Sequence, residues 1–274
     1  MNTETSATTN RTTGRRIVTE DPWAELRQFT DARISLGRCG VSLPLAESLS
    51  FRLAHAQARD AVLQPFAMQD MAAELQEHGY PALLLESEVA DRGEFLTRPD
   101  KGRRLSAASQ ERLRGLGRES QGADVCVVIS NGLSSRAVHE NAVPFTLQFL
   151  DSLRYGGLSA SPVCLVDHGR VAVGDGVAEL LQARLVVMLI GERPGLSSPN
   201  SLGVYMTFAP RVGLTDEARN CISNVRNGGM SIDMGVRKLS YLVENAFAMG
   251  LSGVQLKDKM PSSYLPFRSQ PELG

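Results

Sequence analysis

The chain has 274 residues, of which 42% are hydrophobic and 22% charged, with 29 Lys and Arg against 30 Asp and Glu. This is ordinary globular composition, with apolar material for one large domain or two small ones. A formal net charge of −1 leaves no global basic field to hold nucleic acid or an anionic membrane, and no segment reaches the roughly 18 apolar residues of a membrane span.

Residues 1–16 are polar and Thr-rich. They lack the apolar core of a secretory signal and read as a disordered lead. Residues 17–120 read as a helical N-terminal domain. Asp21-Pro22 is a helix entry, followed by Trp23, Leu26, Phe29 and Arg33/Ile34 at helical spacing. Ser42-Leu43-Pro44 starts a second helix with Leu45, Leu49, Leu53 and Ala56 on one face, and Pro65 ends it. A third spans 66–78, with Met68, Met71, Ala72 and Leu75 inward and Gly79 as its stop. Leu83-Leu84-Leu85 is a short apolar run, a candidate strand. The stretch 91–105 is locally basic through Arg98, Lys101, Arg103 and Arg104. It is either a solvated loop before the helix after Ser106 or a docking patch for an acidic partner or a phosphate.

From 121 to the end the pattern changes to apolar strands alternating with helices. Strands are expected at Val125–Ser130, Pro162–Asp167, Leu185–Ile190 and Val204–Ala209. Helices are expected over 136–153, 177–183, 215–223 and 231–249. Such alternation implies a largely parallel sheet covered on both faces. The fold class is therefore α/β, a Rossmann-like largely parallel sheet domain (121–274) preceded by a smaller helical domain (17–120).

The chemistry in the residues is sparse. The turn Ser130–Ser135 follows a strand and opens a helix, a place that suits an anion, but it carries neither a G-x-G-x-x-G nor a Walker A pattern. A free-standing nucleotide enzyme would need such a fingerprint there. His55, His78, His139 and His168 form no metal-ligand pair. Asp167-His168-Gly169 lacks the D-x-H-x-x-G spacing through which some corrinoid proteins ligate cobalt, and His168 reads as a strand-end residue with a local hydrogen bond. The cysteines at 39, 126, 164 and 221 form no C-x-x-C motif. Cys126 and Cys164 lie in strand-like runs as reduced core residues, which places the chain in a reducing, cytoplasmic compartment. Cys221 is either a buried helical cysteine or a thiol that would need a base. Glu192-Arg193 sits at the carboxyl end of a central strand, the edge where open α/β sheets bind ligands. No self-contained catalytic set and no protein metal site emerge. That favours a chain that binds part of a cofactor while another chain supplies the chemistry.

Five strings, FLTRPDKGRRL (95–105), VVISNGLSS (127–135), GERPGLSSPNSL (191–202), TFAPRVGLT (207–215) and NCISNVRNGG (220–229), closely resemble the small (light) subunit of ethanolamine ammonia-lyase, in order, from about residue 20 to 258. The resemblance implies an adenosylcobalamin-dependent lyase converting ethanolamine to acetaldehyde and ammonia by radical chemistry. It implies a hetero-oligomer in which a large subunit holds the substrate and the small one closes over the corrinoid. It also implies cofactor contacts at Val171, Glu192 and Cys221, no catalytic residue in this chain, and a setting in a bacterial microcompartment. On this reading Val171 and Glu192 follow adjacent strands and Cys221 lies on the neighbouring helix. The basic loop 98–104 and the helical domain are the expected contacts with the large subunit.

Overall fold

The computed structural model describes residues 17–117 and 120–267, and the polar lead expected over 1–16 lies outside them. The chain divides into two compact units, residues 1–56 and 57–274. In the first, the Asp21 carboxylate accepts the Trp23 N–H at 2.9 Å and opens a short 3-10 helix, Ala24–Phe29, which ends at the extended Thr30. The longer helix expected through Ile34 does not form. Helix α1, Leu45–Leu63, starts where Pro44 predicts and runs on into the second unit.

The second unit is built on one six-stranded sheet. Its strands are β1 (Ala82–Glu86), β2 (Val125–Ser130), β3 (Val163–Asp167), β4 (Leu185–Gly191), β5 (Leu202–Phe208) and β6 (Arg219–Val225), in the order β1-β3-β2-β4-β5-β6. The first four are parallel; β5 and β6 are antiparallel. Every residue of β2 and β4 is buried, which explains their unbroken apolar runs.

Seven α-helices occur among the described residues. Helices α2 (Met68–Glu77), α5 (Ser135–Tyr155) and α7 (Ile232–Met249) cover one sheet face through Leu75, Phe145, Phe149, Leu239 and Val243. Helices α4 (Ala107–Arg114) and α6 (Val173–Leu180) cover the other through Leu113, Val173 and Val177. Helix α3, Arg92–Thr97, forms inside the basic stretch. Its Asp91 cap accepts the Glu94 N–H at 2.9 Å, a start signal that the flanking charges hide. Among the described residues no helix is long and apolar enough to cross a membrane.

The candidate strand Leu83-Leu84-Leu85 joins the sheet, in register with Cys164, Leu165 and Val166, so the second unit takes it in. Strand β5 is antiparallel, because the loop from Glu192 to Ser201 is shorter than the dozen or so residues a parallel crossover needs. The helix expected over 215–223 is a one-turn 3-10 segment, Asp216–Ala218, followed by β6. The misreading has a physical source. A register shift against β5 lets three residue steps of β6, Ile222 to Val225, match two steps of β5, Val204 to Leu202. Ile222 and Val225 thus enter the same core layer, while Arg219 is buried on the other face against Asp175, and the resulting three-residue spacing of buried positions imitates a helix.

Candidate functional site at the carboxyl edge of the sheet

Helix α5, which follows β2, lies on one face, and α6, which follows β3, lies on the other. The turns leaving β2, β3 and β4 therefore meet at the carboxyl edge around β2, the place where open α/β sheets bind ligands.

The turn after β2 is filled by protein. Leu133 donates its N–H to the Gly191 carbonyl at 2.9 Å. A Cβ on Gly191 would lie 2.1 Å from the Ser134 carbonyl oxygen, so only glycine fits. The Ser134 hydroxyl caps α5 by accepting the Ala137 N–H at 3.1 Å and donates to the Pro199 carbonyl at 2.8 Å. These contacts pack the turn against β4 and the loop before β5.

The turn after β3 carries Val171. The Asn131 side chain clamps it, donating to Asp167 and accepting the His168 N–H, both at 2.9 Å. The Ser130 hydroxyl accepts the Gly169 N–H at 2.9 Å. His168, in the left-handed region at φ 54, lies 3.1 Å from Asp167, the local bond its position suggested. Val171 is half-buried against the α4/α6 core layer.

Glu192 leaves β4 and reaches back across the sheet. Its Oε2 accepts the Ser201 hydroxyl and the Asn224 N–H at 3.3 Å. Its side chain passes over β5, where a Cβ on Gly203 would stand 3.1 Å from both Glu192 Cγ and Oε1 and 3.2 Å from Tyr205 Cε2. Tyr205 pairs with Cys221 across β5 and β6 and packs on the same core layer as Val171. Burial raises the Tyr205 phenol first, and its bond to the Cys221 sulfur and the Glu192 charge add to the rise. Burial likewise raises the Cys221 thiol, and Glu192 raises it further against the opposing bond from Tyr205. A thiol held protonated beside a carboxylate is a poor nucleophile. Cys221 is a free thiol exposed on the open side of β6.

Strand β6 is held in place by a buried ion pair. Arg219 bonds both Asp175 oxygens at 2.7 Å, with side chains 3% and 1% exposed. It also donates to the Thr207 hydroxyl at 3.1 Å and the Leu214 carbonyl at 3.0 Å. The pair ties β6 to the start of α6, two residues from Cys221.

Glu192 and Cys221 therefore meet, through Tyr205, on the α4/α6 face of the sheet, and Val171 lies on that face at the same edge. Val171 and Glu192 do not follow adjacent strands, since β2 runs between β3 and β4. Their neighbours Arg170 and Arg193 are still close enough for Arg193 to lower the Arg170 pKa. Tyr205, Ser201 and Asn224 were not legible as site residues, because nothing in the sequence announces the antiparallel return that brings them to Glu192.

The sequence profile of the ethanolamine ammonia-lyase light chain family matches residues 20–257. An ethanolamine ammonia-lyase small subunit of Xanthomonas campestris pv. campestris is 55% identical over 241 residues, 87% of this chain and 88% of the relative. The Azotobacter vinelandii small subunit is 53% identical over 242 residues, 88% of this chain and 90% of its own length. That of Pseudomonas putida is 51% identical over 241 residues, 88% of this chain and 89% of its own. With the profile spanning most of the chain and half the residues shared with these relatives, the chain belongs to the ethanolamine ammonia-lyase light chain family.

Proposed function

We propose that this chain, a lyase small subunit, closes with a large subunit over adenosylcobalamin in the conversion of ethanolamine to acetaldehyde and ammonia. The supporting observation is the convergence of Glu192, Tyr205 and Cys221 on the open side of β5 and β6, on the face and edge that also carry Val171. The chemistry adenosylcobalamin supplies when bound is homolysis of its cobalt–carbon bond and hydrogen abstraction from substrate by the adenosyl radical.

The residues fit a corrinoid. Glu192 uses Oε2 for its internal bonds, so Oε1 is left to accept an N–H from a corrin side-chain amide. Val171 offers apolar contact beside it. Cys221, kept neutral, offers a soft sulfur surface. Among the described residues no three His, Cys, Asp or Glu side chains gather to hold a metal, and a corrin carries its cobalt with it. This chain's part is to bind, orient and cover. On the same reading the enzyme works inside a bacterial microcompartment in the cytoplasm, which co-sedimentation with shell particles would test.

The test is titration of cobalamin into the two-subunit complex, followed by absorbance. Replacing Glu192 with alanine should weaken binding by about tenfold or more, the worth of a hydrogen bond to a charged group. Unchanged affinity in this variant, and in variants of Val171 and Cys221, would leave only a scaffold role. Lyase activity in the isolated chain would sink the two-subunit reading.

A further inference from the structure

Four arginines converge beside Val171. The Arg170 N–H donates to the Gly102 carbonyl at 2.6 Å, seating the loop of Arg103 on the β3–α6 turn. The guanidinium carbons of Arg92 and Arg170 lie 4.8 and 4.0 Å from the centre of the Phe95 ring. Burial lowers the Arg170 pKa, and the charges of Arg103 and Arg193 lower it further. Arg92 is lowered by burial and then by Arg170, with Asp167 opposing.

The Asp167 carboxylate acts on Arg92 only at a distance and pairs with none of the four. Among the described residues Arg98, Lys101 and Arg104 of the same loop each pair with Asp100, Glu94 or Glu88, whereas Arg92, Arg103, Arg170 and Arg193 form no ion pair. Two enclosed donors, Arg92 Nη2 and Arg170 Nε, have no acceptor at all, although a buried donor without a partner is costly. Arg92 gives Nε and Nη1 to the Val62 and Gly132 carbonyls and Arg170 gives Nη2 to the Phe95 carbonyl; the two donors left over, with like charges held together, are what a multidentate anion satisfies.

We infer that Arg103, Arg170 and Arg193, backed by Arg92 on Phe95, form an anion subsite that takes the phosphodiester of the corrinoid's nucleotide loop. The inference rests on the cobalamin reading above and adds to it a subsite separate from Glu192 and Cys221. It also gives the basic loop a part in binding, since Arg98 and Arg104 are used internally while Arg103 forms no ion pair and its charge acts on Arg170.

The test compares two corrinoids in the assembled complex: cobalamin, and cobinamide, which lacks the nucleotide loop with its phosphodiester. Arg193→Gln is the first variant, since Arg193 is exposed and has no hydrogen bond to lose. Arg170→Gln is the second. Each should weaken cobalamin by about tenfold or more and leave cobinamide unchanged. Equal weakening of both corrinoids, or no weakening of cobalamin in either variant, overturns the subsite. So does loss of subunit assembly in Arg193→Gln, which would assign the arginines to an acidic surface of the large subunit. A native complex that binds neither corrinoid overturns the cobalamin reading itself.

Discussion

Arg219 and Asp175 decide where Cys221 stands. Each is almost fully enclosed, and each depends on the other to compensate a charge removed from water. Asp175→Ala leaves the guanidinium buried with only the neutral Thr207 and Leu214 partners and the exposed Asp216. The expected cost is about 3–5 kcal/mol, read as a lower urea midpoint. Substituting both residues with apolar ones of similar size should recover much of that loss. A single variant as stable as the native chain would mean that other contacts anchor β6. Neither residue was legible as a pair, because Asp175 opens a helix and Arg219 follows a loop, far apart along the chain. Glu192, by contrast, was legible. A charge that ends an apolar strand run has little choice but to sit at the sheet edge.

At the scale of elements, the edge works because glycines let segments approach. Gly203 sits under the Glu192 side chain, at the 3.1 Å approach described above. Gly203→Ala should therefore displace Glu192 rather than disturb the core, since the side chain can swing outward. The expected outcome is weaker cobalamin binding with a urea midpoint within about 1 kcal/mol of native. A large loss of stability would show that β5 itself cannot accept the methyl group. The longer helices and the buried strands of this unit were readable from period, α3 excepted, and the structure shows their ends capped: Ser106, Ser134 and Ser231 accept the Ser109, Ala137 and Met234 N–H groups, and Gly250 closes α7 at φ 67. What misled was β6, where a bulge turned a strand's alternation into a helix's spacing.

At the scale of the molecule, the first unit leaves several large apolar side chains exposed. Trp23 is 67% exposed, Phe29 79% and Leu45 73%, and large exposed apolar groups mark interaction sites when they cluster. The helical domain over 17–120 and the basic loop 98–104 were expected to contact the large subunit, and the proposal is tested on the exposed aromatic residues of the first unit. Trp23→Asp with Phe29→Asp should reduce co-purification of the two subunits, each aromatic anchor carrying about 2 kcal/mol or more. Undiminished co-purification would move the interface elsewhere.

The sequence by itself determined the α/β class and the family, because apolar period and long shared strings are local properties of the chain. Only the tertiary structure decided that β5 returns antiparallel, that Cys221 rides a strand beside Tyr205, that residues 82–86 join the sheet, and that Arg92 and Arg170 meet over the Phe95 ring. Those facts depend on which distant segments touch. Strand pairing, bulges and charge balance are set by contacts between segments and leave no periodic mark on either one.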